Sequence, residues 1–345
     1  RSGSSIRLQF SNELNIRISQ FGARHVRRFR EETGGDPEAP SITLDDFGYL
    51  VLATEAGEAA LRESVAVQNA CGAPTRLLTP DEIARDFPDV NPEGVTLGAH
   101  NPLDEGWFEG DGMHPWWRRQ AKRRGVEFVK DEVVGFEIEG GRVKAVKLAS
   151  GATVGCGHFI NATGARGARV AALAGLSLPV EPRKRFSWMV TPATKAKGRM
   201  PLIADTSGVW CIPRGPNFHV GMAPEPDPAS DPDDFAMDPE IFEERLWPAL
   251  AFRAPLFEAL KVTSEWACHY DYNTLDQNAI VGPAPELPNF LFANGFSGHG
   301  LQQAPAVGRG LAEIVAYGGY RALDLEPLGY ARVAEGRPFL EKAII

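Results

Sequence analysis

Cysteine is scarce in this 345-residue sequence, and Cys71, Cys156, Cys211 and Cys268 stand far apart without a CxxC pair. Such spacing lacks the usual structural zinc motifs and predicts a protein of a reducing compartment. Long apolar runs are also lacking, because none approaches the ~18 residues that a membrane-spanning helix needs. The sequence therefore predicts neither a zinc site nor a transmembrane segment.

Basic residues are fewer than acidic ones, 36 against 45, which gives a formal net charge of −9. Because a protein that binds nucleic acid needs a basic face, this balance argues against nucleic acid as the main partner. The densest basic stretch, residues 118–124, is interpreted as a solvated helix face. With 43% hydrophobic residues, the chain can bury a sizeable core in roughly two domains.

Two N-terminal signals and one cofactor motif are also lacking. The chain opens on Arg1 rather than methionine, and neither a secretory signal nor an organelle-targeting presequence follows it. No GxGxxG motif is present. We therefore expect an incomplete N-terminus. Frequent Ala, Gly, Pro and Arg without a presequence favours a bacterial cytoplasmic protein, with the mitochondrial matrix as the alternative.

The hydrophobic pattern predicts an α/β unit that is interrupted by a second region. Helices, strands and capping signals alternate along both parts of the chain. The predicted helices cover residues 12–30, 57–70, 112–124, 166–174 and 239–250, with Thr79 and Glu82 forming a capping box before a further one. The predicted strands cover residues 48–53, 126–129, 133–138, 142–148, 157–161, 185–191, 208–213, 218–222 and 289–293.

The most informative stretch is residues 295–300, GFSGHG, between a predicted strand and a helical pattern. Glycine lets the backbone approach a ligand closely, and the free N–H groups of a helix N-terminus favour negative charge. The ligand could be a phosphate or the N1/C2=O edge of a reduced flavin. Ser297 lacks the GxSxG context of a hydrolase nucleophile. His299 has no second metal ligand at a suitable spacing, so no metal site is expected.

The same stretch resembles the C-terminal flavin-binding motif of FAD-dependent oxidoreductases of the D-amino-acid oxidase and sarcosine oxidase superfamily. Residues 266–282 resemble its W-G…TPD…PIIG segment, and residues 160–165 resemble its VNATGAW turn. A closer resemblance is to the type called FAD-dependent oxidoreductase domain-containing protein 1, whose mitochondrial member is implicated in assembly of respiratory complex I. The segments that carry it are residues 178–185, 201–208, 270–274 and 300–305.

This resemblance implies an α/β (α+β mixed) fold, in which an FAD/NAD(P)-binding Rossmann-like domain contains an inserted antiparallel-sheet substrate domain. The FAD-binding domain would comprise residues 1–30, 110–178 and 265–345, and the substrate or cap domain residues 31–109 and 179–264. In the family, a GxGxxG segment cradles the ADP half of FAD and precedes the position of Arg1. The FAD-binding domain is therefore expected to be truncated at its N-terminus.

The resemblance also implies where FAD would bind, in a noncovalent complex. The loop before the last long helix would meet the flavin pyrimidine edge, Ser4 and Ser5 would approach the isoalloxazine ring, and Val133 would contact the adenine through its backbone. The turn after residue 161 would line the ADP side. Besides these three residues, the implied FAD-binding residues are Ala162, Thr163, Gly164, Gly295, Ser297, Gly298, His299, Gly300, Leu301 and Gln302.

Four residues are implied in substrate oxidation. Arg7 matches an arginine that holds the substrate carboxylate in the sarcosine oxidase branch, whereas Gln302 stands where that branch has lysine. His219 approximately matches a lysine that activates oxygen there, and Tyr270 would line the substrate pocket. The expected activity is oxidation of a C–N bond of an amine or N-substituted amino acid by hydride transfer to flavin N5, with oxygen, a quinone or a carrier as acceptor. The alternative is a flavin-fold assembly factor that contacts respiratory-complex subunits.

Overall fold

A computed structural model describes residues 3–342, in which helices and strands form a mixed α/β fold, as predicted. The α-helices are Glu13–Arg27 (α1), Phe29–Glu32 (α2), Glu55–Ala70 (α3), Pro80–Asp86 (α4), Met113–Arg123 (α5), Gly167–Leu173 (α6), Trp247–Arg253 (α7), Gly300–Tyr317 (α8) and Ala331–Ala334 (α9). Short 3₁₀ turns lie at Gly110–Gly112, Gly164–Arg166, Pro255–Phe257 and Glu326–Leu328, and a π-helix at Ile241–Leu246.

The strands differ widely in length, from two residues to fourteen. In chain order they are Ser5–Ile6 (β1), Leu44–Asp45 (β2), Tyr49–Ala53 (β3), Arg76–Leu78 (β4), Leu97–Asn101 (β5), Gly106–Phe108 (β6), Val133–Glu139 (β7), Arg142–Leu148 (β8), Thr153–Gly155 (β9), Phe159–Asn161 (β10), Val180–Pro192 (β11), Leu202–Ala204 (β12), Trp210–Arg214 (β13), Asn217–Met222 (β14), Leu260–Asn273 (β15), Ile280–Pro283 (β16) and Phe290–Asn294 (β17).

The largest sheet has eight strands in the order β15-β11-β14-β13-β12-β3-β5-β4. Its neighbours are antiparallel except for the parallel pair β12 and β3, so the predicted antiparallel sheet is confirmed. One face packs on the π-helix and α7, where Trp188 lies 5.3 Å from the ring of Phe242. Burial of these large aromatic side chains against aliphatic ones supplies most of the driving force for packing this layer.

A smaller sheet, in the order β10-β17-β16, carries the loop that the sequence singled out. β10 and β17 are parallel, and the chain passes from β17 through residues 295–299 into α8. The carboxyl ends of parallel strands are where open α/β sheets bind ligands. Phe290 and Phe292 of β17 are fully buried below this point. The remaining sheets are β1-β6-β2 and β7-β8-β9.

Local signals fix the ends of several helices. Thr79 and Glu82 form the predicted capping box at α4, and the side chain of Asn12 accepts the N–H of Asn15 at α1. α8 ends at Gly318, which adopts a left-handed φ of +76°. No helix within residues 3–342 has the length and apolar character required to cross a lipid bilayer.

Several parts of the fold differ from the sequence-based expectation, among them the strands β4, β5, β6, β9 and β12, which were not predicted. Residues 126–129 form no strand, because they lie exposed without a partner strand and Phe128 packs under the Arg118 guanidinium at 5.1 Å. The helix predicted over 239–250 is divided between the π-helix and α7. β15 was not predicted, although it pairs along most of β11.

The predicted division into two domains stays a prediction. β15 runs through the expected boundary between residues 264 and 265, so the two units share this strand. The outer ends of the predicted FAD-binding ranges, residues 1–2 and 343–345, lie outside the described residues. The mixed α/β class is confirmed.

Candidate active site

A cavity of about 300 Å³ lies between the eight-stranded sheet, the N-terminal segment and the start of α8. It collects residues that are almost 300 positions apart in the chain. Side chains of β11, β13, β14 and β15 form its walls, and the loop before α8 forms another side. The predicted residues that it brings together are Ser4, Ser5, Arg7, His219, Tyr270, Gly298, His299, Gly300, Leu301 and Gln302.

Arg7 is a buried cation in this cavity. Its side chain donates from Nη2 to Nε2 of His299 at 2.9 Å, and its backbone N–H donates to Oε1 of Gln302 at 2.9 Å. The guanidinium also lies 4.3 Å from the centre of the Phe10 ring. Nε and Nη1 have no hydrogen-bond partner among residues 3–342. A buried guanidinium with two unpartnered nitrogens is suited to binding an anion such as a carboxylate.

Burial lowers the pKa of Arg7, and the negative charge of Glu341 opposes this shift. Glu341 is itself buried and accepts the backbone N–H of Ser11 at 2.6 Å. On the other side, the buried carboxylate of Glu105 accepts the N–H groups of Leu8 and Gln9. The segment that carries Arg7 is thus tied by backbone hydrogen bonds to two buried acids. Neither acid had a sequence signal that marked it.

His299 and His219 are both neutral in the folded protein. Burial, and next the charge of Arg7, lower the pKa of His299 to about 3. Burial, and next the charge of Arg214, lower the pKa of His219 to about 3. His299 Nε2 therefore accepts the Arg7 hydrogen bond. His219 lies between the rings of Trp210 and Trp266, at 4.7 and 4.8 Å.

These two histidines predict acid sensitivity. In the unfolded chain they take up protons near pH 6.5, but in the folded protein only near pH 3. The unfolded state therefore binds more protons within this window, and the free energy of unfolding falls as the pH is lowered through it. We expect a loss of about 2 kcal/mol per histidine between pH 7 and pH 5. The free energy of unfolding, measured with urea at pH 7 and at pH 5, gives this loss.

His219→Gln is the variant that isolates one of these contributions. It should reduce the loss between pH 7 and pH 5 by about 2 kcal/mol, whatever its effect on stability at pH 7. The matched control is His114→Gln, since His114 is exposed on α5. An equal pH dependence in wild type and His219→Gln would contradict the assignment of buried neutral histidine.

The loop from 295 to 299 owes its shape to left-handed backbone conformations. Gly295 and Gly298 have φ of +72° and +98°, and Ser297 has +49°. The hydroxyl of Ser297 accepts the N–H of Asn273 at 3.0 Å, which fastens the loop to β15. A Cβ at Gly298 would lie 2.5 to 2.9 Å from the ring of Tyr270. Only glycine therefore fits at this close approach.

The first turn of α8 points into the cavity. Residues 300–302 line it, and within residues 3–342 no side chain caps the helix N-terminus. The free N–H groups of such a turn carry a partial positive charge. Tyr270 faces this turn, and burial raises the pKa of its phenol, so it stays protonated near neutral pH. The helix start at this corner of the cavity therefore favours negative charge on a ligand.

A second cavity of about 370 Å³ lies on the other side of the loop. It shares His269, Asp271 and Gly300 with the first cavity. Of the residues predicted for the ADP side, Ala162 and Gly164 line it. Thr163 turns its hydroxyl to Oδ1 of Asn161 at 2.6 Å.

Several residues fall outside the grouping that the sequence predicted. Val133 pairs with Leu148 at the start of β7 and lines neither cavity. Gly295 and Ser297 shape the loop but line neither cavity. Conversely, the first cavity includes walls that the sequence did not single out for the site, namely Tyr49, Arg185, Leu202, Trp210 and Ile212. These residues come from β3, β11, β12 and β13, and only sheet pairing brings them together.

The sequence of this chain is similar to those of known proteins. The family model for FAD dependent oxidoreductase (DAO) matches residues 1–314. FAD-dependent oxidoreductase domain-containing protein 1 of Xenopus laevis is 36% identical over 381 residues, covering all of this chain and 75% of the relative. The Bos taurus protein of the same name is 37% identical over 381 residues, covering all of this chain and 77% of that protein.

Among solved structures, L-proline dehydrogenase from P. horikoshii superposes with a TM-score of 0.84 at 26% identity, covering 98% of this chain and 88% of that one. Glycine oxidase from Geobacillus kaustophilus superposes with a TM-score of 0.80 at 19% identity, covering 95% and 86% of the two chains. This second likeness shows a shared fold.

The residues present fit the ring portion of FAD. Gly298 lets the loop pass close to Tyr270 on the cavity wall, the start of α8 favours negative charge, and the adjoining second cavity continues past Gly300. The GxGxxG turn, which would hold the phosphates of FAD, does not occur in this sequence. The fit therefore concerns the flavin-facing part of the site.

Proposed function

Because the chain belongs to the family of FAD-dependent oxidoreductases of the DAO type, we propose that it oxidises a C–N bond of an amine or N-substituted amino acid. The observation that carries this proposal is Arg7. Its buried side chain lines the cavity that also contains the Gly298 loop, and its Nε and Nη1 have no hydrogen-bond partner among the described residues. A carboxylate bound there would hold the neighbouring carbon beside the flavin-facing loop.

FAD, when bound, supplies a hydride acceptor at N5, and the protein orients the substrate. Arg7 binds the carboxylate, while His299 fixes the guanidinium by accepting its Nη2–H. The neutral His219, between two tryptophans, contributes an uncharged wall. The first turn of α8 stabilises negative charge at the pyrimidine edge. No residue in this scheme has to transfer a proton.

The relatives support this class of substrate. L-proline dehydrogenase, by its name, acts on a secondary amine with a carboxylate. Sarcosine oxidase subunit beta of Rhodobacter capsulatus, 25% identical over 329 residues, is named for another such compound. Both compounds carry the carboxylate for which Arg7 offers donors. An N-substituted α-amino acid is therefore the substrate class we favour.

The electron acceptor is proposed to be a quinone or carrier rather than oxygen. Resemblance to the sarcosine oxidase branch implies lysines near the positions of Gln302 and His219, whereas neither residue supplies a cation here. Gln302 uses its carbonyl oxygen to accept the N–H of Arg7, and His219 is neutral. A positive charge that would favour electron transfer to oxygen is thus missing at both positions.

The test is anaerobic reduction of the flavin-loaded protein. We expect N-methyl and cyclic amino acids to bleach the flavin absorbance, and an artificial quinone to restore it faster than air does. Amines without a carboxylate should bleach it far more slowly, because they leave Arg7 unpaired. If no member of a broad amine and amino-acid panel bleaches the flavin, the proposed oxidation is wrong.

A second candidate is an assembly factor that keeps the flavin fold and contacts subunits of respiratory complex I. The use of Gln302 to hold the Arg7 backbone, where the related branch has lysine, favours it. Capture of complex I subunits by an Arg7→Gln variant that no longer binds carboxylates would support this candidate. Loss of that capture together with loss of turnover would favour the enzyme.

A further inference from the structure

An acidic strap, residues 223–238, connects β14 to the π-helix and lies across the basic end of β11. It contains six acidic residues. The strap is fastened by backbone contacts, since Ser230 donates its N–H to the carbonyl of Pro182 at 2.9 Å and Ala229 pairs with Arg183. Two ion pairs add to these contacts, Lys184 with Asp234 and Arg166 with Asp233.

A third ion pair of the strap differs from the others because its cation lines the first cavity. Nη1 and Nη2 of Arg185 donate to the two carboxylate oxygens of Asp227 at 2.7 and 2.8 Å. Nη1 also donates to the carbonyl of Lys184 at 2.9 Å. The Arg185 side chain is 11% exposed and that of Asp227 26%. Both terminal nitrogens of this guanidinium are therefore engaged by the protein itself.

Arg185 and Arg7 both interact with Tyr270. The Arg185 guanidinium lies 4.9 Å from the centre of the Tyr270 ring, and the charges of Arg185 and Arg7 both act on the phenol. The cavity thus has two guanidinium groups that differ in one respect. Arg7 keeps open donors, whereas Arg185 is neutralised by a bidentate carboxylate.

We propose that the Arg185–Asp227 pair sets the charge preference of the cavity, so that it accepts a substrate with one carboxylate and disfavours one with a second carboxylate at the far end. This inference rests on the proposed function, because it specifies the substrate class of the same site. A second carboxylate would meet a guanidinium that a bidentate carboxylate already neutralises, and it would face the negative charge of Asp227. Its desolvation would not be compensated.

Equilibrium binding of butyrate and glutarate to the flavin-loaded protein tests this inference. The two acids are of similar length but carry one and two carboxylates. Binding is followed by flavin absorbance and by tryptophan fluorescence, since Trp210 and Trp266 line the cavity. Wild type should bind butyrate more tightly. If no amine bleaches the flavin, the proposed oxidation fails, but this charge preference is still measured.

Two variants should shift glutarate binding in opposite directions. Asp227→Asn frees Arg185 and should lower the Kd of glutarate about tenfold, which corresponds to about 1.4 kcal/mol. Arg185→Gln exposes Asp227 and should raise that Kd about tenfold. Butyrate should change by less than about threefold in both. The two variants are expected to shift the Kd of glutarate in opposite directions. If one of them does not fold, the other still tests the inference.

The matched control is Asp233→Asn, which removes the same charge from the strap but at a pair whose cation, Arg166, does not line the cavity. It should leave both dissociation constants unchanged. The inference is overturned if Asp233→Asn strengthens glutarate binding as much as Asp227→Asn does. It is also overturned if glutarate binding is insensitive to both Asp227→Asn and Arg185→Gln, or if butyrate shifts equally.

Discussion

Arg7→Gln should weaken the binding of carboxylate ligands by about 100- to 1000-fold, the largest effect on ligand affinity that we expect from a single substitution. The change removes the buried cation whose Nε and Nη1 have no hydrogen-bond partner among residues 3–342. A bidentate, charge-assisted contact in a desolvated site contributes roughly 3–4 kcal/mol. The Kd of butyrate, measured from flavin absorbance, gives the loss directly.

The control for Arg7→Gln is Arg17→Gln. Arg17 is a partly exposed arginine on α1 whose partner is Glu13, one turn away at 3.3 Å. Its removal should leave butyrate binding unchanged. Circular dichroism of both variants shows whether they fold. A folded Arg7→Gln protein that binds butyrate within about fivefold of wild type would refute the role assigned to Arg7.

Gly298→Ala should remove most of the bound flavin. The alanine would have to adopt a φ of +98° while its Cβ met the Tyr270 ring at 2.5 to 2.9 Å. Left-handed strain alone costs about 1–2 kcal/mol, and moving the ring displaces the loop that faces the flavin. We expect at least a tenfold drop in flavin content and a lower Tm. Flavin released from the purified protein measures the first effect.

Gly57→Ala is the matched control for this substitution. Gly57 lies within α3, where a Cβ would make an ordinary contact with Ala53 at 3.5 Å. Alanine is favoured over glycine in an α-helix, by up to about 1 kcal/mol in the interior and by less in the first turn, where Gly57 lies. The variant should therefore keep its flavin and unfold at the same or a higher temperature. Full flavin content in Gly298→Ala would show that the loop does not need glycine there.

The elements with strong local signals were predictable. The hairpin of β7 and β8, the capping box at α4 and the junction from β17 to α8 depend on residues close in sequence. β15 was missed because a long strand needs a partner, and its partner β11 lies some 80 residues earlier. The stretch 126–129 has strand-like composition but no neighbouring strand to pair with.

The candidate site likewise has parts that the sequence predicted and parts that it did not. The string GFSGHG and the segments at residues 160–165 and 266–282 are local and carried the family resemblance. Spacing gave no indication that Arg7 bonds to His299, 292 residues away. Nor did it reveal that Asp227 neutralises Arg185, because a proline- and aspartate-rich loop looks the same whether it is solvated or fastened to a strand.

The sequence by itself determined the mixed α/β class, because glycine positions, helix caps and apolar runs act through near neighbours, and its motifs carried the resemblance to the family. The tertiary structure decided which charges remain available. Burial keeps His219 and His299 neutral, leaves two donors of Arg7 open and engages Arg185 with Asp227. Desolvation and pairing depend on what packs around a group, and that is set by contacts between distant parts of the chain.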